Sequence, residues 1–279
     1  QKQKTAILQE LGQLAKLSTY RDYDLYDIDE LLMQINLSIQ PAEKALELID
    51  KLLEERKDTY DLYQIVLRKV NLLTELHEEQ KAADTIWQYL HLTEIREMEV
   101  DKLIASCQYD EAIRLLNEGI EIAEKEEHIG TIEEWLKTKL RIYEMTHRTS
   151  DVIDTCRLLF VSGGDKLEYY RKLKTLVPKE EWKSFLDAMM EETHFSEYFS
   201  FGANDEAEIY VNERDNEHLF KLLSSTKYHQ LEALMKYSYY LKDTHSEQLI
   251  AIYTSLLNDY AEQNVGRTHY ELIAQALLC

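Results

Sequence analysis

The sequence has 279 residues, of which 44% are hydrophobic and 30% are charged. The apolar share, together with 19 tyrosines, is large enough to build a core, so the charge content does not predict disorder. Acidic residues outnumber basic ones by 53 to 32, and the net charge of −21 repels nucleic-acid phosphates and anionic lipid headgroups. We therefore expect no direct contact with nucleic acid and no contact with a membrane.

The cysteines and the N-terminal residues indicate the cellular compartment of the protein. Cysteines 107, 156 and 279 lie far apart and are odd in number, unlike a disulfide framework or a zinc site. This usage predicts a reducing, cytoplasmic location. The sequence holds no apolar run of about eighteen residues, and residues 1–5 lack the apolar character of a signal peptide. Because the chain starts without methionine, we expect it to be a piece of a longer protein.

Helices are predicted from residue 42 onward. Between Ala42 and Gln275 the sequence holds one proline and six glycines, and apolar residues recur there at helical spacing. Pro41 suits the start of the first helix, because proline is favoured at helix N-termini. The pattern predicts helices that cover residues 42–53, 62–73, 82–90, 95–105 and 109–125.

Capping signals mark the helices that follow. Thr131–Glu134 has the spacing of a capping box, and Gly130 before it is expected to break the preceding helix. Asp165 is expected to cap a helix after Gly163 and Gly164 end the previous one. Later helices are predicted to begin at Pro178, to cover 207–212, 217–223, 228–241 and 244–260, and to begin again at Thr268.

The chain is predicted to have four parts. Residues 1–40 form an N-terminal helix and connector, and residues 41–192 form a first helical subarray. Aromatic residues interrupt the helical rhythm between 193 and 206, which predicts a bend or linker. Residues 207–279 form a second subarray. Since no capping helix follows its last helix, we expect this subarray to be truncated.

Short helices in consecutive pairs predict an all-α fold, a right-handed α-α superhelix of antiparallel helix hairpins. Residues 109–119 resemble the second helix of a tetratricopeptide repeat, with small residues at Ala112 and Gly119 where a neighbouring helix approaches closely. The first helix of that repeat departs from the family, because Arg96 and Glu99 occupy positions that are usually apolar or glycine. The resemblance implies a solenoid similar to tetratricopeptide arrays, without a strict repeat.

Scattered positions between residues 105 and 275 resemble the helical region that follows the zinc finger in bacterial SWIM zinc-finger proteins. The finger itself, Cys-x-Cys followed by Cys-x-His, is absent from this sequence, so none of its zinc or nucleic-acid roles transfers to any residue here. The resemblance implies an accessory or interaction region. The similar positions are 118–123, Trp135, 169–172, 178–182, 209–210, Tyr237 and 249–253.

No catalytic motif is apparent in the sequence, so we expect a non-catalytic scaffold without a cofactor that binds a protein or peptide on its concave face. Neighbouring aromatic residues on one helix cannot all face inward, and tyrosine is favoured at interfaces. An acidic surface further favours a basic partner. The expected partner-binding residues are Tyr169, Tyr170, Trp182, Tyr237, Tyr239 and Tyr240.

Two alternatives remain open from the sequence. The chain could be a structural spacer or self-association region that orients neighbouring domains. It could also be a metal-dependent enzyme, because Glu144 with His147, and Glu191 with His194, place a carboxylate and an imidazole on one helical face. A chain this rich in glutamate and histidine produces such pairs by chance, so the pairs do not by themselves define a metal site.

Overall fold

The computed structural model describes residues 2–14, 35–36, 39–57, 59, 61–162, 165–193, 204–226, 229–263 and 266–276. Regular structure in these ranges is helical, which confirms the all-α class. The helices are α1 (Lys2–Leu14), α2 (Ala42–Glu55), α3 (Leu62–Glu75), α4 (Glu79–Gln88), α5 (Thr93–Ala105), α6 (Tyr109–Lys125), α7 (Ile129–Met145), α8 (Thr149–Ser162), α9 (Lys166–Leu176), α10 (Lys179–Glu192), α11 (Asn204–Glu213), α12 (Asn216–Ser225), α13 (Gln230–Tyr237), α14 (Ser246–Gln263) and α15 (Arg267–Ala276).

The chain divides into two compact units, Gln1–Ile132 and Glu133–Cys279. In the first unit, α2 packs on α3, α3 on α4 and α5, and α5 on α6. The stripe of Ala45, Ile49 and Leu53 buries one face of α2, as its four-residue spacing requires. Helix α6 is instead buried on two faces, with Ala112 and Leu115 both at 0% exposure. Two buried faces suit a helix that packs against more than one neighbour.

In the second unit, packing also runs mainly between neighbours in the chain. Helix α8 contacts α9 and α10, α9 contacts α11, and each helix from α11 to α15 contacts the next. Leu159 and Phe160 of α8 are fully buried. A second apolar cluster is built around Leu219, Leu223 and Leu234 of α12 and α13. Local contacts of this kind are what consecutive helix pairs produce.

Within the described part of the chain, one turn geometry links helices five times. The residue after the helix C-cap takes a left-handed conformation, with φ between 55° and 59°, although none of the five is glycine. The next backbone N–H then donates to the carbonyl five residues earlier, at 2.8–2.9 Å. This bond satisfies a carbonyl left open at the helix end and lets a new helix begin at once. The five residues are His77, Cys107, Glu127, His147 and Arg214.

The turn between α6 and α7 allows a test of backbone strain. Glu127 is left-handed, whereas its exposed neighbour Glu126 is right-handed. The left-handed conformation is unfavourable for residues that have a Cβ, so Glu127→Gly should stabilise the protein by about 0.5–1 kcal/mol. Glu126→Gly should destabilise it by a similar amount, about 0.5–1 kcal/mol, because glycine there gains only unfolded-state freedom. Urea unfolding followed by circular dichroism measures both, and two shifts of the same sign would contradict the prediction.

The structure corrects two predicted boundaries. Gly130 does not end a helix; it lies in the first turn of α7, which begins at Ile129, because Glu127 already supplies the left-handed turn. The predicted helix 228–241 is also shorter. It ends at Tyr237, and a 3₁₀ turn over Ser238–Tyr240 redirects the chain so that Leu241 is buried.

Other predicted boundaries are confirmed or lie outside the described residues. Asp165 caps α9, since its Oδ1 accepts the backbone N–H of Glu168 at 3.1 Å. Pro178 precedes α10 directly, as predicted. Most of the predicted connector, and residues 194–203 of the predicted linker, fall outside the described ranges, as do Gly163 and Gly164. The last three residues of that predicted linker form the first turn of α11.

Candidate interaction cleft

A cleft of about 790 Å³ opens in the second unit, between α10, α11 and the start of α12. Leu186 and Met190 line it from α10, and Tyr210 lines it from α11. The left-handed turn at Arg214 brings the last residue of α11 and the first residues of α12 to the same edge. Three helices and one tight turn therefore define its walls. We call this feature the α10–α12 cleft.

Glu213, at the edge of the α10–α12 cleft, is the centre of a polar cluster. Its Oε1 accepts hydrogen bonds from the Tyr170 hydroxyl at 2.5 Å and from Trp182 Nε1 at 3.1 Å. Lys174 Nζ lies 2.8 Å from the same oxygen and also donates to the Tyr170 hydroxyl at 3.0 Å. The cluster joins α9, α10 and α11, so it fixes the end of α11 where the cleft opens.

Protonation states in this cluster follow from its contacts. Burial raises the pKa of Tyr170 to about 12, and its hydrogen bond to the Glu213 carboxylate acts in the same direction. Burial alone would raise the pKa of Glu213, but hydrogen bonds from Lys174, Tyr170 and Trp182 outweigh it and lower that pKa. Near neutral pH the cluster therefore holds a carboxylate, an ammonium and a neutral phenol.

A second polar group also lines the α10–α12 cleft. Asp215 caps α12 by accepting the backbone N–H of His218 at 3.1 Å, and its other oxygen lies 2.8 Å from His218 Nδ1. The His218 ring stacks on Tyr210, with 5.4 Å between ring centroids. The Tyr210 hydroxyl donates to Glu206 at 3.0 Å, and burial raises the pKa of the Glu206 carboxyl. These contacts hold the aromatic wall of the cleft in one orientation.

The cleft lining is acidic on balance. Five carboxylates face two cationic side chains, Lys183 and Arg214, and one histidine. A neighbouring groove of about 520 Å³ shares Glu217 and His218 with the cleft and continues over Phe220 of α12. The carboxylates are Asp187, Glu191, Glu213, Asp215 and Glu217.

The structure separates the aromatic residues that the sequence singled out. Tyr170 and Trp182 meet beside the cleft, 5.7 Å apart between ring centroids, and both are buried. Tyr169 is buried as well. Tyr237 is buried and its hydroxyl donates to Asn204 Oδ1 at 2.6 Å. These four rings are part of the core and present little area to a partner, because neighbouring helices cover them.

Tyr239 and Tyr240 are the predicted aromatic residues that reach solvent. They are 67% and 50% exposed, because the 3₁₀ turn points both rings outward. The two rings meet edge to face with centroids 5.9 Å apart, and Lys242 Nζ lies 4.0 Å from the centroid of Tyr239. They form a small aromatic surface, which we call the tyrosine pair.

Changing the tyrosine pair to alanine should leave the fold intact. Substitutions at exposed positions shift the free energy of unfolding by about 0.5 kcal/mol or less, so the double variant should keep its helical circular dichroism. Tyr237→Ala, in the same segment, should cost about 3 kcal/mol, because it leaves a cavity in the core. Equal losses of stability in the two variants, measured by urea unfolding, would show that the exposed rings carry core packing.

Of the residues proposed as metal ligands, Glu144, His147 and Glu191 lie in the described part of the chain. Glu144 forms an ion pair with Lys172, and His147 lies in a left-handed turn. His194 falls outside the described residues. Within the part of the chain that the structure describes, no group of three or more histidine, cysteine, aspartate or glutamate side chains is placed to hold a metal ion.

Sequence reasoning missed most residues of the α10–α12 cleft. Asp215 could have been found, because an aspartate before the segment 217–223 is a helix-capping signal. Glu213 and Lys174 could not, since they are charged residues on separate helices and only the packing of α9 against α11 brings them together.

Comparisons with models of known protein families, with curated proteins and with solved structures found no match to this chain. Among the described helices, none has the length and apolar content that spanning a bilayer requires.

Proposed function

We propose that this chain is a non-catalytic interaction module that binds a peptide segment of another protein in the α10–α12 cleft. The cleft carries the proposal, because it is a large open space with an apolar floor and polar edges held by hydrogen bonds. Such a combination suits recognition of a side chain with its neighbouring backbone. In this proposal the helices form the tetratricopeptide-like superhelix expected from the sequence, and the module serves a larger protein.

Several features support a peptide rather than a compact small molecule. The cleft continues into the groove along α12, so the concave surface is elongated. The carboxylate of Glu213 already has three donors, and Asp215 is engaged by His218 and by the helix N-terminus. Polar groups whose hydrogen bonds are already made within the protein hold the walls of the cleft in place. The binding free energy then comes from shape complementarity and from charge.

Peptide selection against the purified chain tests the proposal. Peptides enriched from a random display library would be labelled and titrated by fluorescence polarisation. Asp187→Trp places a bulky ring in the cleft from an exposed position of α10, so affinity should fall at least tenfold. Glu121→Trp is the matched control on an exposed position of α6, and it should change affinity by less than twofold. Equal affinity for all three proteins would contradict the cleft as the binding site.

The same titration addresses the tyrosine pair and the spacer alternative. If Tyr239→Ala/Tyr240→Ala weakens a selected peptide while Asp187→Trp does not, the binding surface is the tyrosine pair. If selection enriches no peptide, the spacer or self-association function is favoured. Light scattering then separates those two, because a self-associating chain gains mass with concentration.

A further inference from the structure

We propose that the segment bound in the α10–α12 cleft is basic, with an apolar side chain between lysine or arginine residues. This inference rests on the proposed function of the cleft as a peptide site. It adds the chemistry of the partner, which follows from three observations on the cleft and its edges: the apolar floor, the carboxylates that remain available, and the length of the groove.

The floor of the cleft is apolar. Leu186 is buried and Met190 is half-buried on the side of α10, while the half-buried Tyr210 ring faces them from α11. Methionine adapts its shape readily, and tyrosine offers area at a low entropic cost. An aliphatic side chain on this floor would bury its apolar surface away from water, and this burial favours binding.

The carboxylates around that floor are available for a cation. Glu191 is exposed and makes no ion pair with another described residue. Asp187 has only a 3.7 Å contact to Lys183, whose side chain is 84% exposed, and such surface pairs contribute little. Glu217 is 85% exposed and lies 3.6 Å from His245 Nε2. Arginine or lysine side chains flanking the apolar residue would find these three carboxylates at the edges.

The length of the groove sets the length of the segment. The cleft and the groove together follow α12 from Asn216 to Ser225, and these ten helical residues span about 15 Å. An extended peptide advances about 3.3 Å per residue, so roughly five residues fill that span. Phe220 and Ser224 line the continuation. Phe220 offers an apolar contact to the end of the segment, and the Ser224 hydroxyl, which donates to the Phe220 carbonyl at 2.7 Å, can still accept a hydrogen bond.

Three synthetic peptides of equal length test the chemistry. Each would carry leucine at its centre and a fluorescent label, with two arginines, two glutamines or two glutamates on either side. The wild-type chain should bind the arginine peptide at least tenfold more tightly than the glutamine peptide, and the glutamate peptide most weakly. Replacing the central leucine with serine should weaken the arginine peptide about fivefold in the wild-type chain and hardly at all in Met190→Gln.

Two variants with equal net charge distinguish binding in the cleft from non-specific attraction of a basic peptide to an acidic protein. Asp187→Arg/Glu191→Arg reverses two carboxylates on the cleft edge, and Glu121→Arg/Glu124→Arg reverses two exposed ones on α6. The cleft variant should lose at least tenfold in affinity for the arginine peptide, and the α6 variant less than twofold. Equal losses in both variants would overturn the proposal.

The outcome also distinguishes this inference from the proposed function. If glutamine or glutamate peptides bind best and Asp187→Trp abolishes their binding, the cleft is a peptide site but its partner is not basic. If none of the peptides binds, and display selection yields no peptide sensitive to Asp187→Trp, both proposals are wrong.

Discussion

Replacing Glu213 with alanine is expected to lower the free energy of unfolding by roughly 3 kcal/mol, since three donors lose their common acceptor. Trp182 Nε1 and the Tyr170 hydroxyl belong to buried side chains, so neither donor can turn freely to water. Lys174 would keep its contact to Tyr170 but lose its counter-charge. Urea unfolding followed by circular dichroism measures the loss.

Glu213→Gln is the control that keeps the shape of the side chain and removes its charge. It should cost about 1–1.5 kcal/mol, because the amide oxygen still accepts from Trp182 or Tyr170. The folded-state pKa of Glu213 is lowered, so its charge stabilises the fold above the ordinary glutamate pKa. That stabilisation is lost as the pH falls through the lowered value. The difference between wild type and Glu213→Gln should therefore shrink below about pH 4, and a constant difference would contradict the role of charge.

The same cluster shows why the candidate site was only partly predictable. Aromatic residues at adjacent helical positions predicted exposed rings, and the prediction fits Tyr239 and Tyr240. Tyr170 and Trp182 are instead buried, and their polar tips reach a carboxylate on another helix. A single sequence does not reveal a hydrogen bond between residues more than thirty positions apart. Their role in partner binding stays a prediction.

Helix positions were more predictable than the turns between them. The apolar period identified α2 to α6 within about three residues at each end, since burial of one face imposes the spacing. The turns were missed because glycine was taken as the signal for a helix end. Here His77, Cys107 and Glu127 adopt left-handed conformations that usually favour glycine, and the backbone hydrogen bond after each compensates the strain.

Arg96 is a buried charged residue between two helices of the first unit. It departs from the tetratricopeptide pattern, which usually has an apolar residue or glycine at that position. The structure buries its guanidinium to 4% exposure between α5 and α6, where Nη1 donates to the carbonyl oxygen of Leu115 at 2.7 Å. Burial lowers the pKa of this guanidinium, and Glu118, 3.8 Å away, acts in the opposite direction.

Arg96→Ala is expected to cost about 3 kcal/mol, and Arg96→Met less than about 1 kcal/mol. The reason is that neither Glu118 nor the Leu115 carbonyl depends on this charge: Glu118 is 44% exposed, and within a regular helix the Leu115 carbonyl keeps its bond to a later N–H. What alanine loses is volume, which methionine restores between α5 and α6. Urea unfolding gives the energies, and hydrogen exchange should show lost protection in α5 and α6 for Arg96→Ala. Equal destabilisation by alanine and methionine would show instead that the guanidinium hydrogen bonds, and not the packing, hold these two helices together.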